Sequence, residues 1–184
     1  QRSQCNRRQS FAINTSGIRI IKTLLLMRHA KSSWKEPGLS DHERPLNARG
    51  EKAAPLMSQW VITAGLEPDM IVCSTAVRAR TTAQLIATEL GGGVDVVEFS
   101  QLYLSDEQSY VEAIHTVGDE FSCLLLVGHN PTIEYLTNRL TGVAKEFPTG
   151  AIAHLRAPIE HWSQLSLDCG CELEDFCCPR ELDL

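Results

Sequence analysis

The chain has 184 residues, of which 43% are apolar and 22% charged, and its formal net charge is −6. Such a chain is long enough to form one soluble domain burying roughly 70% of its unfolded surface, and no apolar run approaches the roughly 20 residues that a bilayer requires. Residues 1–22 hold Arg2, Arg7, Arg8, Arg19 and Lys22 and no acid, which leaves 12 basic against 23 acidic side chains elsewhere; so acidic a body excludes general nucleic-acid binding, which rests on neutralising phosphates.

Residues 1–21 read as a disordered basic extension. Their Arg-rich, acid-poor composition is that of an organellar transit peptide, but no amphipathic period supports one and no apolar core marks a secretory signal. Residues 22–184 read as a single domain, with a cytoplasmic location expected. The first strand is the apolar run at residues 23–27, which stops abruptly at Arg28-His29. Lys31 to Leu46 mixes Pro, Gly, Ser and charges and reads as a long loop, a feature that in compact domains is usually functional or disordered. Ala53, Leu56, Met57, Trp60, Val61 and Ala64 then recur at helical spacing, with Asn47 as N-cap and Pro55 near enough to the start to be tolerated.

Met70–Cys73 is a second strand, and Ser74 or Thr75 should cap the helix whose apolar face is Ala76, Ala79, Ala83, Ile86 and Leu90. Gly91-Gly92-Gly93 ends that helix; it lacks the Lys-Ser/Thr of a phosphate-cradling loop. A strand over 94–99, a polar-faced helix over 107–117 and the apolar strand Cys123–Val127 follow. Gly128-His129-Asn130-Pro131 then opens a helix carrying Ile133, Leu136 and Leu140, with Asn130 suited to its N-cap and Pro131 to its first turn. Two shorter strands, Ile152–Leu155 and Glu172–Phe176, flank a segment containing Trp162.

Cysteine is used seven times. Cys73 and Cys123 lie in apolar runs and read as small core residues, whereas Cys169, Cys171, Cys177 and Cys178 crowd the tail without the paired CxxC spacing of a zinc site.

Strands alternating with helices imply an α/β fold with a mostly parallel sheet and helices on both faces. Arg28-His29, Ser74 to Arg78, and Gly128-His129-Asn130 each follow a strand, so all three fall on one rim, where helix N-termini add oriented N–H groups. Arg78 lies in the first turn of its helix and can face the crevice; Arg80 points elsewhere. Two histidines and two arginines on one rim suit phosphoryl transfer. Each guanidinium fork matches two phosphate oxygens, one neutral imidazole can attack phosphorus, and the other, protonated, can hydrogen-bond the equatorial oxygens. The arrangement requires no metal and no cofactor.

MRHAKSSW, DHERPLNARG, STAVRARTTA and VGHNP, in that order, resemble the histidine phosphatase superfamily, and within it the small SixA-type phosphohistidine phosphatases. The resemblance spans about Lys22 to Leu182. It implies a three-layer αβα sandwich of the phosphoglycerate mutase-like kind, with His29 as the transiently phosphorylated nucleophile and Arg28, Arg78 and His129 binding phosphate. Arg44, in the matching loop, is a further phosphate-ligand candidate against an ordinary loop salt bridge, and Asp41 beside it reads as structural. Relatives that cleave poor leaving groups place an acid after the second histidine, where this chain has Asn130; Asp106 and Glu107 are conceivable substitutes, although a solvated loop is the plainer reading of them. His42, His115, His154 and His161 match no catalytic motif. The expected partner is a phosphorylated protein such as a histidine-transfer domain. The alternatives are small phosphate esters, handled by a phosphatase or mutase, and a module that binds a phospho-ligand without turnover.

Overall fold

A computed structural model describes residues 21–182, so the basic extension, apart from Ile21, lies outside the described residues. In chain order the elements are β1 (Lys22–Arg28), α1 (Ala48–Thr63), β2 (Met70–Ser74), α2 (Val77–Glu89), β3 (Asp95–Phe99), α3 (Glu107–His115), β4 (Cys123–Gly128), α4 (Thr132–Thr141), β5 (Ile152–Ala157) and β6 (Glu172–Cys177). Short 3₁₀ turns occupy Ser100–Leu102, Trp162–Gln164 and Pro179–Leu182. None of the described helices is long and apolar enough to cross a membrane.

The strands form one sheet in the order β3-β2-β4-β1-β5-β6. β1, β2, β3 and β4 are mutually parallel; β5 runs antiparallel to β1, and β6 antiparallel to β5. Alternation along the strands divides the core into two layers. Leu24 and Leu26 of β1 pack with Leu124 and Leu126 of β4, α3, α4 and Trp162 on one face. Leu25 and Met27 join Ile71, Cys73, Leu125 and Val127 under α1 and α2 on the other. Both faces are covered, which is why β1 and β4 are written as unbroken apolar runs. The result is the expected three-layer αβα sandwich.

Register positions the functional rim. β1 and β4 pair from Thr23 with Cys123 to Arg28 with Gly128, so the two strands end side by side and the histidine after each emerges beside the other. β2 pairs Cys73 with Val127, which brings Ser74 to the same edge.

Two expected caps are corrected. Neither Ser74 nor Thr75 caps α2: the cap position is Ala76, with no side-chain bond. Ser74 ends β2 instead, where its hydroxyl turns toward the end of β4. Nor does Asn130 cap α4, which starts at Thr132 after Pro131. The Asn130 amide is drawn off to Glu134 Oε1 (2.6 Å) and the Phe147 carbonyl (3.2 Å). Asn47 does cap α1, accepting from the N–H groups of Arg49 and Gly50, and the helix runs through Pro55.

Among the described cysteines, Cys73 is fully buried, Cys123 is half-buried, and the Cys169 and Cys171 sulfurs lie 3.4 Å apart. No three metal-ligating side chains come together among the described residues.

Candidate active site

His29 is the first residue beyond β1, and its backbone N–H continues the ladder to Gly128 O at 3.0 Å. Its Nδ1 lies 2.7 Å from the Ala30 carbonyl. A carbonyl can only accept, so Nδ1 carries the proton and Nε2 keeps its lone pair. Arg78 Nε donates to that lone pair at 3.2 Å. Thr82, one turn along α2, fastens the two segments by accepting from Ala30 N (3.1 Å) and donating to Arg78 O (2.6 Å).

The His129 ring centroid stands 5.1 Å from that of His29. Its Nε2 is 2.9 Å from Ser74 Oγ, while its Nδ1 is buried with no hydrogen-bond partner. The His129 N–H donates to Tyr110 Oη at 3.1 Å, and that hydroxyl donates to Leu102 O. The phenol lies so close to Gly128 that any Cβ there would overlap it, so the residue before this histidine must be glycine. Burial is the main cause lowering both imidazole pKa values. His29 falls to about 4, against the pull of the Ala30 carbonyl and with the help of Arg78, Arg28 and Arg44; His129 falls to about 3, with His29 and Arg78 contributing. Both rings are neutral at pH 7, which corrects the expectation of a protonated second imidazole: burial beside arginines disfavours its charged form.

Three guanidinium groups surround this pair. Arg28 donates from Nη1 to Phe147 O (2.7 Å), while its Nε is buried without a partner; desolvation lowers its pKa and Glu134 opposes the shift. Arg78 also donates to the Asp41 carbonyl and, at 2.8 Å, to Asp41 Oδ2. Arg44 is buried over the Trp34 ring and donates to Asp41 Oδ1 (2.6 Å), Ser32 Oγ (2.6 Å) and Ser33 O (3.1 Å). Asp41 therefore bridges two arginines and also accepts from Tyr103 Oη at 2.9 Å. Its partial burial works to raise its pKa, but hydrogen bonds from Arg44, Tyr103 and Arg78 bring it down to about 2.

Arg28, His29, Arg78 and His129 line a cavity of about 540 Å³ together with Asn130 and Tyr110. A smaller one, about 350 Å³, adjoins it and is lined by Arg28, His29, Arg78 and Arg44. The four expected core residues are thus brought together, with Arg44 on the adjoining wall. Arg80 is not among them; it pairs with Glu98 at 3.5 Å. Asp106 caps α3 through Ser109 N (3.0 Å) and Oγ (2.8 Å), and those bonds lower its pKa. A carboxylate so held is no proton donor at neutral pH.

Residues 24–103 match the sequence profile of the histidine phosphatase superfamily (branch 1). An uncharacterised protein of Mycobacterium tuberculosis is 36% identical over 165 residues, spanning 84% of this chain and 100% of the relative. An Agrobacterium tumefaciens structure, assigned provisionally as a phosphohistidine phosphatase SixA, is 30% identical over 86% of this chain and 98% of its own, with a TM-score of 0.73. The chain belongs to the histidine phosphatase superfamily. The structure of the protein histidine phosphatase SixA complexed with tungstate shares the fold at 21% identity, with a TM-score of 0.71 over 88% of this chain and 99% of that one.

In this histidine phosphatase, sequence reasoning missed the residues that hold the cavity rather than line its rim. Tyr103 follows β3 at the same strand ends as the motifs, and that position was the available signal. Glu134 accepts from Asn130 and from Phe147 N (2.8 Å), fixing the carbonyl that Arg28 holds. No local pattern marks it. His42, which matches no catalytic motif, sits at the rim, 3.0 Å from Thr75 Oγ1 and edge-on to Tyr103.

The buried imidazoles make this phosphatase acid-sensitive. Their folded pKa values of about 4 and 3 lie below the ordinary 6.5, so between those values the unfolded chain binds more protons. Stability from this source is complete above about pH 6.5 and declines as pH falls toward 4, by roughly 2 kcal/mol per histidine at pH 5. Urea melts at pH 7 and pH 5 should show this loss, and a His29→Gln/His129→Gln variant should lose distinctly less. An equal loss in both proteins would contradict it.

Proposed function

We propose that the chain hydrolyses phosphohistidine on a partner protein, with His29 as the group that takes the phosphoryl. The observation that carries this reading is the His29 hydrogen-bond pattern: Nδ1–H is tied to Ala30 O, and Nε2 holds a lone pair between Arg78 and the cavity. As the phosphoryl group enters, the Arg78 Nε–H turns from the Nε2 lone pair to a phosphoryl oxygen; Nε2 then attacks phosphorus, the P–N bond of the substrate breaks, and the leaving imidazole receives its proton from solvent. Water then displaces His29 and releases inorganic phosphate. Arg28, Arg78 and the uncharged His129 bind the phosphoryl oxygens, with Arg44 on the adjoining wall as a third cationic ligand. Tungstate, held by the SixA structure of this fold, is an oxyanion of comparable shape.

The leaving group decides the substrate class. A sugar or alkyl ester needs an acid to protonate its departing alkoxide, and the nearby carboxyls are committed elsewhere: Asp41 is ionised between two arginines, and Asp106 caps a helix. An imidazole leaving group matches the imidazole nucleophile in kind, so transfer between them needs no such acid. A second reading, hydrolysis of a small phosphate ester, has in its favour a main cavity of small-molecule size, about 540 Å³. The test compares a phosphorylated histidine-transfer protein with a panel of sugar phosphates. The phosphoprotein should give the higher kcat/KM, and a strong preference for any ester would reverse the assignment.

A further inference from the structure

A third cavity, of about 430 Å³, opens beside the 540 Å³ one, and Arg28 lines both. Its walls carry Lys31, Arg49 and Arg180 over an apolar floor that includes Ala53, Pro148 and Pro179, and among the described residues no acidic side chain lines it. In a chain with 23 acidic residues against 17 basic, a groove that gathers four cations and no acid from the described residues calls for a cause. The other exposed arginines behave differently. Arg80, Arg139 and Arg156 each meet a carboxylate, whereas among the described residues Lys31, Arg49 and Arg180 have none within ion-pair distance.

The three cations come from separate segments that the fold draws together. Lys31 lies two residues beyond His29. Arg49 is in the first turn of α1, and α1 is held against Lys31 by the Asn47 N–H donating to Lys31 O at 2.9 Å. Gly50 is in such close contact with that carbonyl that a Cβ would overlap it, so glycine here is what lets the helix approach. Arg180 lies in the Pro179–Leu182 turn, whose proline faces Gly150; the Gly150 N–H in turn reaches Arg28 O and His29 O, both at 3.1 Å. Each wall is therefore keyed to the end of β1. Like charges collected in a concave site raise the local concentration of anions, and leaving them unneutralised costs stability that a bound anion returns.

We infer that this groove is a second anion subsite, taking a carboxylate or phosphate borne by the same substrate whose phosphoryl group reaches His29. The inference rests on the phosphatase reading of the His29 cavity and narrows its substrates to those with two anionic groups. The second anion is either an acidic side chain beside the phosphohistidine or a second phosphate on a small molecule.

Calorimetric binding to His29→Ala protein tests the subsite without depending on turnover. The probes are a phosphohistidine peptide flanked by glutamates, its glutamine twin, fructose 1,6-bisphosphate and fructose 6-phosphate. The doubly anionic member of at least one pair should bind more tightly, and whichever pair does so identifies the source. Adding Arg49→Glu and Arg180→Glu, both at exposed positions, should erase that preference, weakening the doubly anionic probe roughly tenfold while leaving the singly anionic one unchanged. Equal affinities within both pairs, or equal weakening of both members, would overturn the subsite. Turnover of p-nitrophenyl phosphate and the phosphoprotein by protein with native His29 separately tests the phosphatase reading, so the two can fail independently.

Discussion

Replacing His29 with alanine is expected to lower turnover by at least about 10⁴-fold, the scale on which loss of a covalent nucleophile falls. The remaining cations can still bind a phosphoryl group, but no other lone pair is comparably placed: among the described histidines in the cavity, only His29 has one ring nitrogen fixed by a backbone carbonyl and the other turned to an arginine. Binding of inorganic phosphate should therefore survive in the variant while hydrolysis does not. Wild-type protein quenched during turnover should carry an acid-labile, base-stable phosphate on His29. Circular dichroism guards against a folding defect, and His29→Gln, closer in volume, should be equally inactive. Turnover within tenfold of wild type in either variant would remove His29 from the mechanism.

The parts of the fold that sequence made legible are those set by periodicity. The runs around Leu24–Met27 and Leu124–Val127 could be read as strands because both faces of the sheet are covered and every position is apolar. Once these were strands, the polar residues at their ends had to share a rim. The misplaced caps show where that reasoning stops. Ser74 and Asn130 are residue types that cap helices, and each stands just before one, but each bonds elsewhere: Ser74 to His129 across the sheet, Asn130 to Glu134 one turn along α4 and to the Phe147 carbonyl beyond that helix. The bonds to His129 and to the Phe147 carbonyl depend on the packing of separate segments and leave no local pattern. Asp41 was legible only as a structural loop residue. Its bridge between Arg44 and Arg78 exists because the Lys31–Leu46 loop folds back over α2, as the bond from Val77 N to His42 O (3.0 Å) shows.

That bridge gives the second large effect, at Arg78. Its guanidinium has three duties: Nε faces the His29 lone pair, Nη2 holds Asp41, and the cavity face is left for phosphate. Charge-assisted hydrogen bonds are worth roughly 1.5–3 kcal/mol each, so Arg78→Ala should lower kcat/KM by roughly 10²- to 10³-fold. The split between the kinetic constants reports which duty matters. If Arg78 served only to position Asp41 and the loop, KM would rise while kcat held. If it stabilises charge on the phosphoryl group as Nε2 attacks, kcat must fall too, because that interaction strengthens in the transition state. Arg78→Lys separates charge from geometry: an ammonium restores the cation but not a fork able to meet a phosphoryl oxygen while Nε faces His29. Lysine should therefore recover part of the KM effect and little of the kcat effect. Full recovery of kcat by lysine would mean that net charge alone is required, and that the Nε contact with His29 has no part in the chemistry.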